Sequence, residues 1–313
     1  MKRVLITDDV HLLMIEGLQD RGYQTDYQPN INLEDVKKII GGYEGLIINS
    51  KILVNKDLLD AAKQLKFVAR LGSGMEIVDK AYAATKNVAV FSSPEGNCNA
   101  VAEHALGMLL ALANNLVRSD REVRNFDWQR EKNRGFELRG LTIGIIGFGH
   151  TGSAFASKLL GLGMRILVYD KYKTNYTTAF PYIKAVTLEQ LQSEADIVSF
   201  HLPLTAEVTH FMNDTFLASC KKNVIVLNTS RGKVIDTASL LRGLETKKVR
   251  GACLDVFENE KVATFSDSER LMYQKLYGFE QVVLSPHIAG WTQESKVQLS
   301  RILLEKIDLW QQS

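Results

Sequence analysis

The sequence predicts an α/β protein of two doubly wound parallel-sheet domains, and three observations carry that prediction. Short apolar runs of strand length alternate with helix-like stretches in two separate blocks. A glycine fingerprint stands between a strand and a helix at the head of the second block, and an Ala/Leu-rich helix joins the two blocks. With 313 residues, the chain is long enough for two domains of ordinary size and a large core.

Taken in order, the first block opens at once on Arg3-Val4-Leu5-Ile6-Thr7 and continues with strands at 46–50 (Leu-Ile-Ile-Asn-Ser) and 67–71 (Phe-Val-Ala-Arg-Leu). Such continuous apolar runs suit strands covered on both faces, as in a parallel sheet. Residues 97–117 read as a connecting helix, with polar residues at its start able to cap it. The second block is stronger, with strands expected at 142–146, 166–169, 197–201, 224–228, 251–256 and 282–284. Six such runs complete a doubly wound sheet. After the last of them, 292–310 is amphipathic, with Val297, Ile302, Leu303, Ile307 and Trp310 near one helical stripe. That stripe is expected to return to the first domain and pack there, in preference to forming a dimer seam. The expected division is a substrate domain at 1–95 completed by 290–313, and a dinucleotide-binding domain at 96–289, with the active site in a cleft closed by hinge motion.

Composition excludes several classes of function. The chain is 45% hydrophobic and 24% charged with a formal charge of only +2, and its basic residues are scattered without interleaved aromatics, so no nucleic-acid partner is expected. Lys171 and Lys173 form a short basic cluster of the kind usually found on a solvated surface. The apolar stretch at 105–113 stops at Asn114 and Asn115, well short of the roughly 20 residues a membrane span needs, so no membrane partner is expected either. No apolar signal segment opens the sequence, which predicts a cytoplasmic protein. Cys98, Cys220 and Cys253 are odd in number and lack C-x-x-C spacing, so neither a disulfide framework nor a metal site is expected.

The fingerprint is Gly147-Phe148-Gly149-His150-Thr151-Gly152, between the strand ending at Ile146 and a helix through Ala154, Ala156, Leu159 and Leu160. A bare G-x-G-x-x-G is weak; strand before and helix after supply the context it needs. The first glycine permits a tight turn, the second lets backbone approach a pyrophosphate, and the third lets helix pack close to strand. The helix amino terminus then offers unpaired N–H groups and a partial positive charge to phosphates. About 20 residues on, the next strand ends at Asp170, placed to accept hydrogen bonds from a ribose and to repel a 2′-phosphate. NAD is therefore expected over NADP, although Lys171 and Lys173 would partly offset that repulsion.

Open parallel sheets bind ligands beyond the carboxyl ends of their strands. The ionisable groups just past strand ends here are Asp170, His201, Arg231, Asp255, Glu260 and His287. Hydride transfer between a hydroxy acid and a nicotinamide needs a cation for the substrate carboxylate and a proton donor or acceptor at the reacting oxygen. Arg231 supplies a planar fork and His287 a titrating imidazole, and a carboxylate such as Glu260 beside the imidazole would fix its tautomer and stabilise the imidazolium. Each taken singly has an ordinary structural role open to it: a loop cap, a solvated carboxylate, a core histidine. Their joint occurrence favours chemistry.

These residues also carry a family resemblance. The segments Gly144-Ile-Ile-Gly-Phe-Gly-His-Thr-Gly152, His201-Leu-Pro-Leu-Thr205, Asn228-Thr-Ser-Arg-Gly232 with Val234-Ile-Asp236, Gly251-Ala-Cys-Leu-Asp-Val-Phe257 and Ser285-Pro-His-Ile-Ala-Gly290 resemble the D-isomer-specific 2-hydroxy acid dehydrogenases, nearest to their 3-phosphoglycerate dehydrogenase branch. The resemblance runs from about Leu46 to Thr292. It implies a flavodoxin-like substrate domain, a Rossmann NAD domain, a small 2-hydroxy or 2-oxo acid substrate and a homodimer, in a short form without a regulatory domain. Arg231 then matches the substrate-binding arginine, Glu260 the carboxylate partner and His287 the acid/base. Gly147, Gly149, His150, Thr151, Gly152, Asp170, His201, Pro203, Thr229, Ser230, Asp255 and Gly290 fall on the cofactor side, with Asp255 near the nicotinamide amide. Arg70-Leu71-Gly72-Ser73-Gly74 resembles the loop that receives the substrate carboxylate, so Arg70, Ser73 and Gly74 join Asn49 and Lys51 as substrate-side candidates. The chain departs from the pattern at Asn49, where the phosphoglycerate enzymes tend to carry arginine, at Glu76-Ile77 and at Lys261. Those departures leave the reaction intact and leave open whether the substrate is phosphorylated. Two further readings stay open: a catalytically silent NADH-sensing protein, and a formate- or phosphite-type dehydrogenase of the same broad family.

Overall fold

The structure, a computed structural model, describes residues 2–173, 176–220 and 223–312. It divides into two compact units, one of Met1–Cys98 with Trp291–Ser313 and one of Asn99–Gly290.

The first unit contains the strands β1 (Arg3–Ile6), β2 (Gln24–Tyr27), β3 (Gly45–Ile48), β4 (Phe67–Arg70) and β5 (Ala89–Ser92). They pair in parallel in the order β2-β1-β3-β4-β5, the flavodoxin-like order. Helices α1 (Leu12–Asp20), α2 (Leu33–Ile39), α3 (Lys56–Ala61) and α4 (Lys80–Thr85) connect them. Asn32, Asn55 and Asp79 cap the last three through their side-chain oxygens. The amphipathic stretch near the carboxyl end forms α12 (Gln293–Gln311), which buries Leu303, Leu304 and Ile307 against Met14, Leu18 and Phe67 of this unit. The Trp310 ring rests 5.6 Å from Phe67 and 6.0 Å from Phe91, so the stripe is core packing.

Helix α5 (Pro94–Ala113) starts with proline at its first position, where the missing N–H costs nothing, three residues earlier than expected. It also stops earlier than the predicted Val117. Asn115 adopts a left-handed backbone, φ 52°, which ends α5 and starts α6 (Leu116–Arg124) in a new direction. Among the described residues no single helix is long and apolar enough to cross a membrane.

Among its described residues the second unit has seven parallel strands rather than the six expected: β6 (Thr142–Ile146), β7 (Arg165–Tyr169), β8 (Ile183–Ala185), β9 (Ile197–Phe200), β10 (Val224–Asn228), β11 (Val249–Leu254) and β12 (Val282–Leu284). Their order is β12-β11-β10-β9-β6-β7-β8. The extra strand, β8, is a three-residue edge strand with a single buried side chain, so it lacks the apolar run that marks the others. Strands β6, β9 and β10 are buried at every residue, as central strands covered on both faces must be. Helices α7 (His150–Lys158), α8 (Leu188–Glu194), α9 (Asp214–Ser219), α10 (Thr237–Glu245) and α11 (Asp267–Tyr277) complete the unit. Successive strands run outward from β6 in one direction through β7 and β8, and in the other from β9 to β12, so the order reverses between β6 and β9. That reversal places a ligand-binding crevice beyond the ends of β6 and β9.

Candidate active site

The loop that leaves β6 at this switch point is the glycine fingerprint. Gly147 has φ 90°, and a Cβ there would lie 2.4 Å from the His201 carbonyl oxygen, so glycine alone fits the turn. A Cβ on Gly152 would lie 2.1 Å from the Gly147 carbonyl oxygen, which explains the third glycine as a packing requirement. Gly149 is different: a Cβ there would meet nothing within 4 Å. Its bare backbone therefore faces open space at the amino terminus of α7, where His150, Thr151 and Gly152 form the first turn. This is the arrangement that lets a phosphate approach backbone N–H groups.

Asp170 lies just past β7. One of its carboxylate oxygens accepts the Phe148 N–H at 2.7 Å, and the other accepts the N–H groups of Tyr172 and Lys173, both at 2.9 Å. The carboxylate is thus fixed against the fingerprint loop, with lone-pair capacity remaining for a hydroxyl. Lys171, named above as a compensating charge, pairs with Glu207, to which Tyr172 also donates at 2.7 Å. Lys173 donates to the Phe148 carbonyl at 3.1 Å.

Two buried polar atoms near the switch point have no partner among the described residues: Nδ1 of His201, past β9, and Oγ1 of Thr229, past β10. Nε2 of His201 sits 2.8 Å from the Ser199 hydroxyl, and burial pushes the imidazole down to about 3, so the ring is neutral at physiological pH. An unpartnered buried acceptor or donor costs roughly 1–3 kcal/mol, and such atoms mark places where a ligand completes the hydrogen bonding. With the open backbone at Gly149, they fit a bound dinucleotide. Pro203 lies in the loop that follows His201, and Gly290 closes the unit.

The chemistry-bearing side chains gather beyond the three neighbouring strands β10, β11 and β12. Arg231 follows β10; its Nη1 donates to the Ser230 carbonyl at 2.7 Å, and its own carbonyl accepts the Asn228 amide at 2.9 Å. Ser230 is tied to Asn228 through both its N–H and its hydroxyl. Glu260 follows β11 and its Oε2 lies 2.7 Å from His287 Nδ1, while its Oε1 accepts the Phe257 N–H at 3.2 Å. Burial pushes the Glu260 carboxyl up, but the hydrogen bond and charge of His287, the Phe257 N–H and the charge of Arg231 together outweigh it and hold the group below its ordinary value. The glutamate is therefore a carboxylate, which can only accept, so His287 Nδ1 bears the proton and Nε2 is the atom left for exchange. The loop carrying Glu260 is braced from below: Glu258 accepts the Thr237 N–H at 2.8 Å and pairs with His210 at 2.6 Å.

Asp255 has no exposed surface. Its carboxylate accepts the Ser285 hydroxyl at 2.6 Å and the N–H groups of Ile288 and Ala289 at 2.9 Å, so it secures the turn that presents His287. His104 of α5 approaches the same Ser285 hydroxyl at 2.8 Å. Sequence reading gave no role to His104 or to Ser285. They lie 181 positions apart, and no local pattern links them.

The substrate-side candidates of the first unit occupy the ends of β3 and β4. The Asn49 N–H is held by Asp8 at 3.0 Å. Arg70 donates from Nε to the Asn49 carbonyl at 2.8 Å and from Nη1 to the Gly74 carbonyl, tying the two loops together, and Ser73 is exposed in the second of them. Lys51 donates to the Pro29 carbonyl.

Comparison with known proteins bears on the family. Residues 106–289 match the profile of the D-isomer specific 2-hydroxyacid dehydrogenase, NAD binding domain. The chain is similar to D-3-phosphoglycerate dehydrogenase of Synechocystis sp., with 31% identity over 307 residues, or 98% of this chain and 54% of that protein. It thus spans about half the length of the phosphoglycerate dehydrogenases it matches. Hydroxypyruvate reductase of Thermotoga maritima is 35% identical over 278 residues, covering 89% of this chain and 88% of that protein. Among solved structures, D-lactate dehydrogenase of Aquifex aeolicus complexed with NAD and lactic acid is similar with a TM-score of 0.85 and 26% identity, covering 99% of this chain and 96% of that one.

Proposed function

The chain belongs to the D-isomer-specific 2-hydroxyacid dehydrogenase family, and from that premise we propose that it moves a hydride between NAD(H) and a small D-2-hydroxy acid or its 2-oxo counterpart. The observation that carries this reading is the 2.7 Å contact of His287 with Glu260, on loops beyond neighbouring strands, with Arg231 close enough to lower the Glu260 carboxyl. The dinucleotide, when bound, supplies or accepts the hydride. Arg231 then holds the substrate carboxylate, for which its planar fork is suited. In reduction, His287 gives the proton on Nε2 to the substrate oxygen and remains neutral with Nδ1–H on Glu260; in oxidation, Nε2 accepts that proton. Glu260 touches no substrate in this scheme. It fixes the tautomer and stabilises the imidazolium.

For the substrate, we favour hydroxypyruvate, glyoxylate or a similarly small 2-oxo acid over a phosphorylated one. Asn49 brings no charge, and Arg70 and Lys51 both donate to backbone carbonyls of the first unit. The test is a panel of 2-oxo acids, including 3-phosphohydroxypyruvate, ranked by kcat/KM from the loss of NADH absorbance. Turnover of the phosphorylated acid alone would reject the preference, and NADH binding without turnover of any acid would reject the function. A cytoplasmic homodimer belongs to the same proposal. Cys220 and Cys253 are buried thiols outside any disulfide, and Leu116, Val117, Val123, Phe126 and Trp128 leave an apolar surface on the second unit, so light scattering is expected to give twice the chain mass.

A further inference from the structure

His287 carries the proton chemistry on a backbone that disfavours it. Its φ of 58° lies in the left-handed region, which is unfavourable for a residue with a Cβ and persists only when the surroundings hold it. The holding group is Asp255. Four donors from 285–289 converge on this one residue: its carbonyl accepts the His287 N–H at 2.7 Å, and its carboxylate accepts the Ser285 hydroxyl and the Ile288 and Ala289 N–H groups.

Counting protons along this network fixes the role of His104. An acceptor-only carboxylate at 2.6 Å takes the single hydrogen of the Ser285 hydroxyl, and the Met108 sulfur at 3.7 Å is a weak competitor for it. The serine oxygen then has only lone pairs to offer His104, whose Nε2 stands 2.8 Å away and must be the donor. The order is therefore His104 Nε2–H to Ser285 Oγ–H to Asp255. The same Nε2 lies 3.7 Å from the Asp255 carboxylate, so its N–H dipole favours the charge that the turn is built around. Without this donor, the Ser285 oxygen loses the contact that holds it in line with Asp255, and one of the turn's four anchors is weakened.

We propose that His104 is a positioning residue for the reaction: through Ser285 and Asp255 it holds the left-handed turn of His287, and so the alignment of His287 with Glu260. The inference rests on the role given to His287 under Proposed function. His104 touches no reacting atom, and its effect is expected on kcat rather than on binding.

The test uses the whole chain with His104→Leu, which removes the donor, His104→Gln, which keeps an N–H at similar reach, Ser285→Ala, and the Leu/Ala double variant. With the best 2-oxo acid, His104→Leu is expected to lower kcat on the order of 10-fold, since small misplacements of a reacting group cost that much or more. KM and the NADH Kd are expected to stay within about twofold, and His104→Gln to recover most of the loss. The double variant is expected to be no slower than Ser285→Ala alone, because both changes break one relay. Unchanged kcat in His104→Leu, failure of His104→Gln to restore it, or multiplying effects in the double variant would overturn the proposal. A readout independent of turnover separates it from the functional reading. In ¹⁵N-histidine spectra, the His287 Nδ1 proton held by Glu260 is expected to be observable in the wild type and in His104→Gln, and lost to exchange in His104→Leu. An identical signal in all three overturns the positioning role, whether or not any acid is reduced.

Discussion

Replacing His201 with leucine is expected to change how stability depends on pH, by an amount that follows from the burial of the ring. Unfolded, the imidazole titrates near 6.5; folded, burial pushes it down to about 3. Between those values the unfolded chain carries a proton that the native chain refuses, so stability falls as the solution is acidified. The contribution is complete above about 6.5 and is lost as pH drops toward about 3, at a slope approaching 1.4 kcal/mol per pH unit. From about pH 7.5 to about pH 4.5, the loss is roughly 2–3 kcal/mol. Carboxylates titrate over part of this range too, so the quantity to read is the difference between wild type and His201→Leu, each unfolded in urea at several pH values. Leaving the Ser199 hydroxyl without its partner costs the variant a constant amount, which displaces its curve without tilting it. Parallel curves for the two proteins, or a His201 resonance titrating near 6.5, would refute the reasoning. The outcome bears on the proposed function: a histidine that stays neutral through this range does not share acid/base work with His287, and on the proposed reading its unpartnered Nδ1 serves the cofactor.

Two further outcomes are expected. NADH is preferred over NADPH by at least about 10-fold in kcat/KM, because Asp170 is locked against the Phe148 N–H and Lys171 is engaged with Glu207; Asp170→Ala narrows that ratio, and an equal or better wild-type rate with NADPH would reject the assignment. Glu260→Gln keeps the shape and a hydrogen bond to His287 but removes the charge; as both groups are about half exposed and solvent screens them, kcat is expected to fall only on the order of 10-fold with NADH affinity unchanged, and an unaltered single-turnover rate would show that the contact is idle.

The strands that build the site are the ones most legible in the sequence, and for a physical reason. Strands β6, β9 and β10 are covered on both faces, so they are written as unbroken apolar runs. The three that escaped prediction are edge or near-edge strands: β2 reads Gln-Thr-Asp-Tyr and buries nothing fully, β5 is half-buried throughout, and β8 has three residues. Polar, short or half-covered strands lack the periodic signal that distinguishes them from loops. The break at Asn115 was legible only in part: the apolar run visibly ends at Asn114 and Asn115, but nothing in the pattern shows that Asn115 turns left-handed and redirects the chain into the polar helix α6. Arg231, Glu260 and His287 were legible because the rule of carboxyl-terminal strand ends reduces the search to a few loops. His104 was not, because only the packing of α5 beside the end of β12 brings it to Ser285.

The strand order explains how one edge of a single sheet can serve both halves of the proposed reaction. Neighbouring parallel strands stand about 4.8 Å apart, so the ends of β10, β11 and β12 span roughly 10 Å, the scale of a small acid and the side chains that hold it. Four spacings, roughly 19 Å, separate β12 from β6 and its fingerprint. Between these two ends lie the loops after β9 and β10, and they carry the unpartnered atoms of His201 and Thr229. Along this edge the charge is ordered as well: the paired acid and base stand at one end, and the uncharged glycine backbone with the positive helix terminus of α7 at the other. A ligand with an anionic middle and a reactive end is thus oriented by the sheet itself. Exchanging the chemistry at β10–β12 would alter the reaction without disturbing the fingerprint, whereas a Cβ at Gly152, 2.1 Å from the Gly147 carbonyl, would remove the cofactor end whatever the substrate.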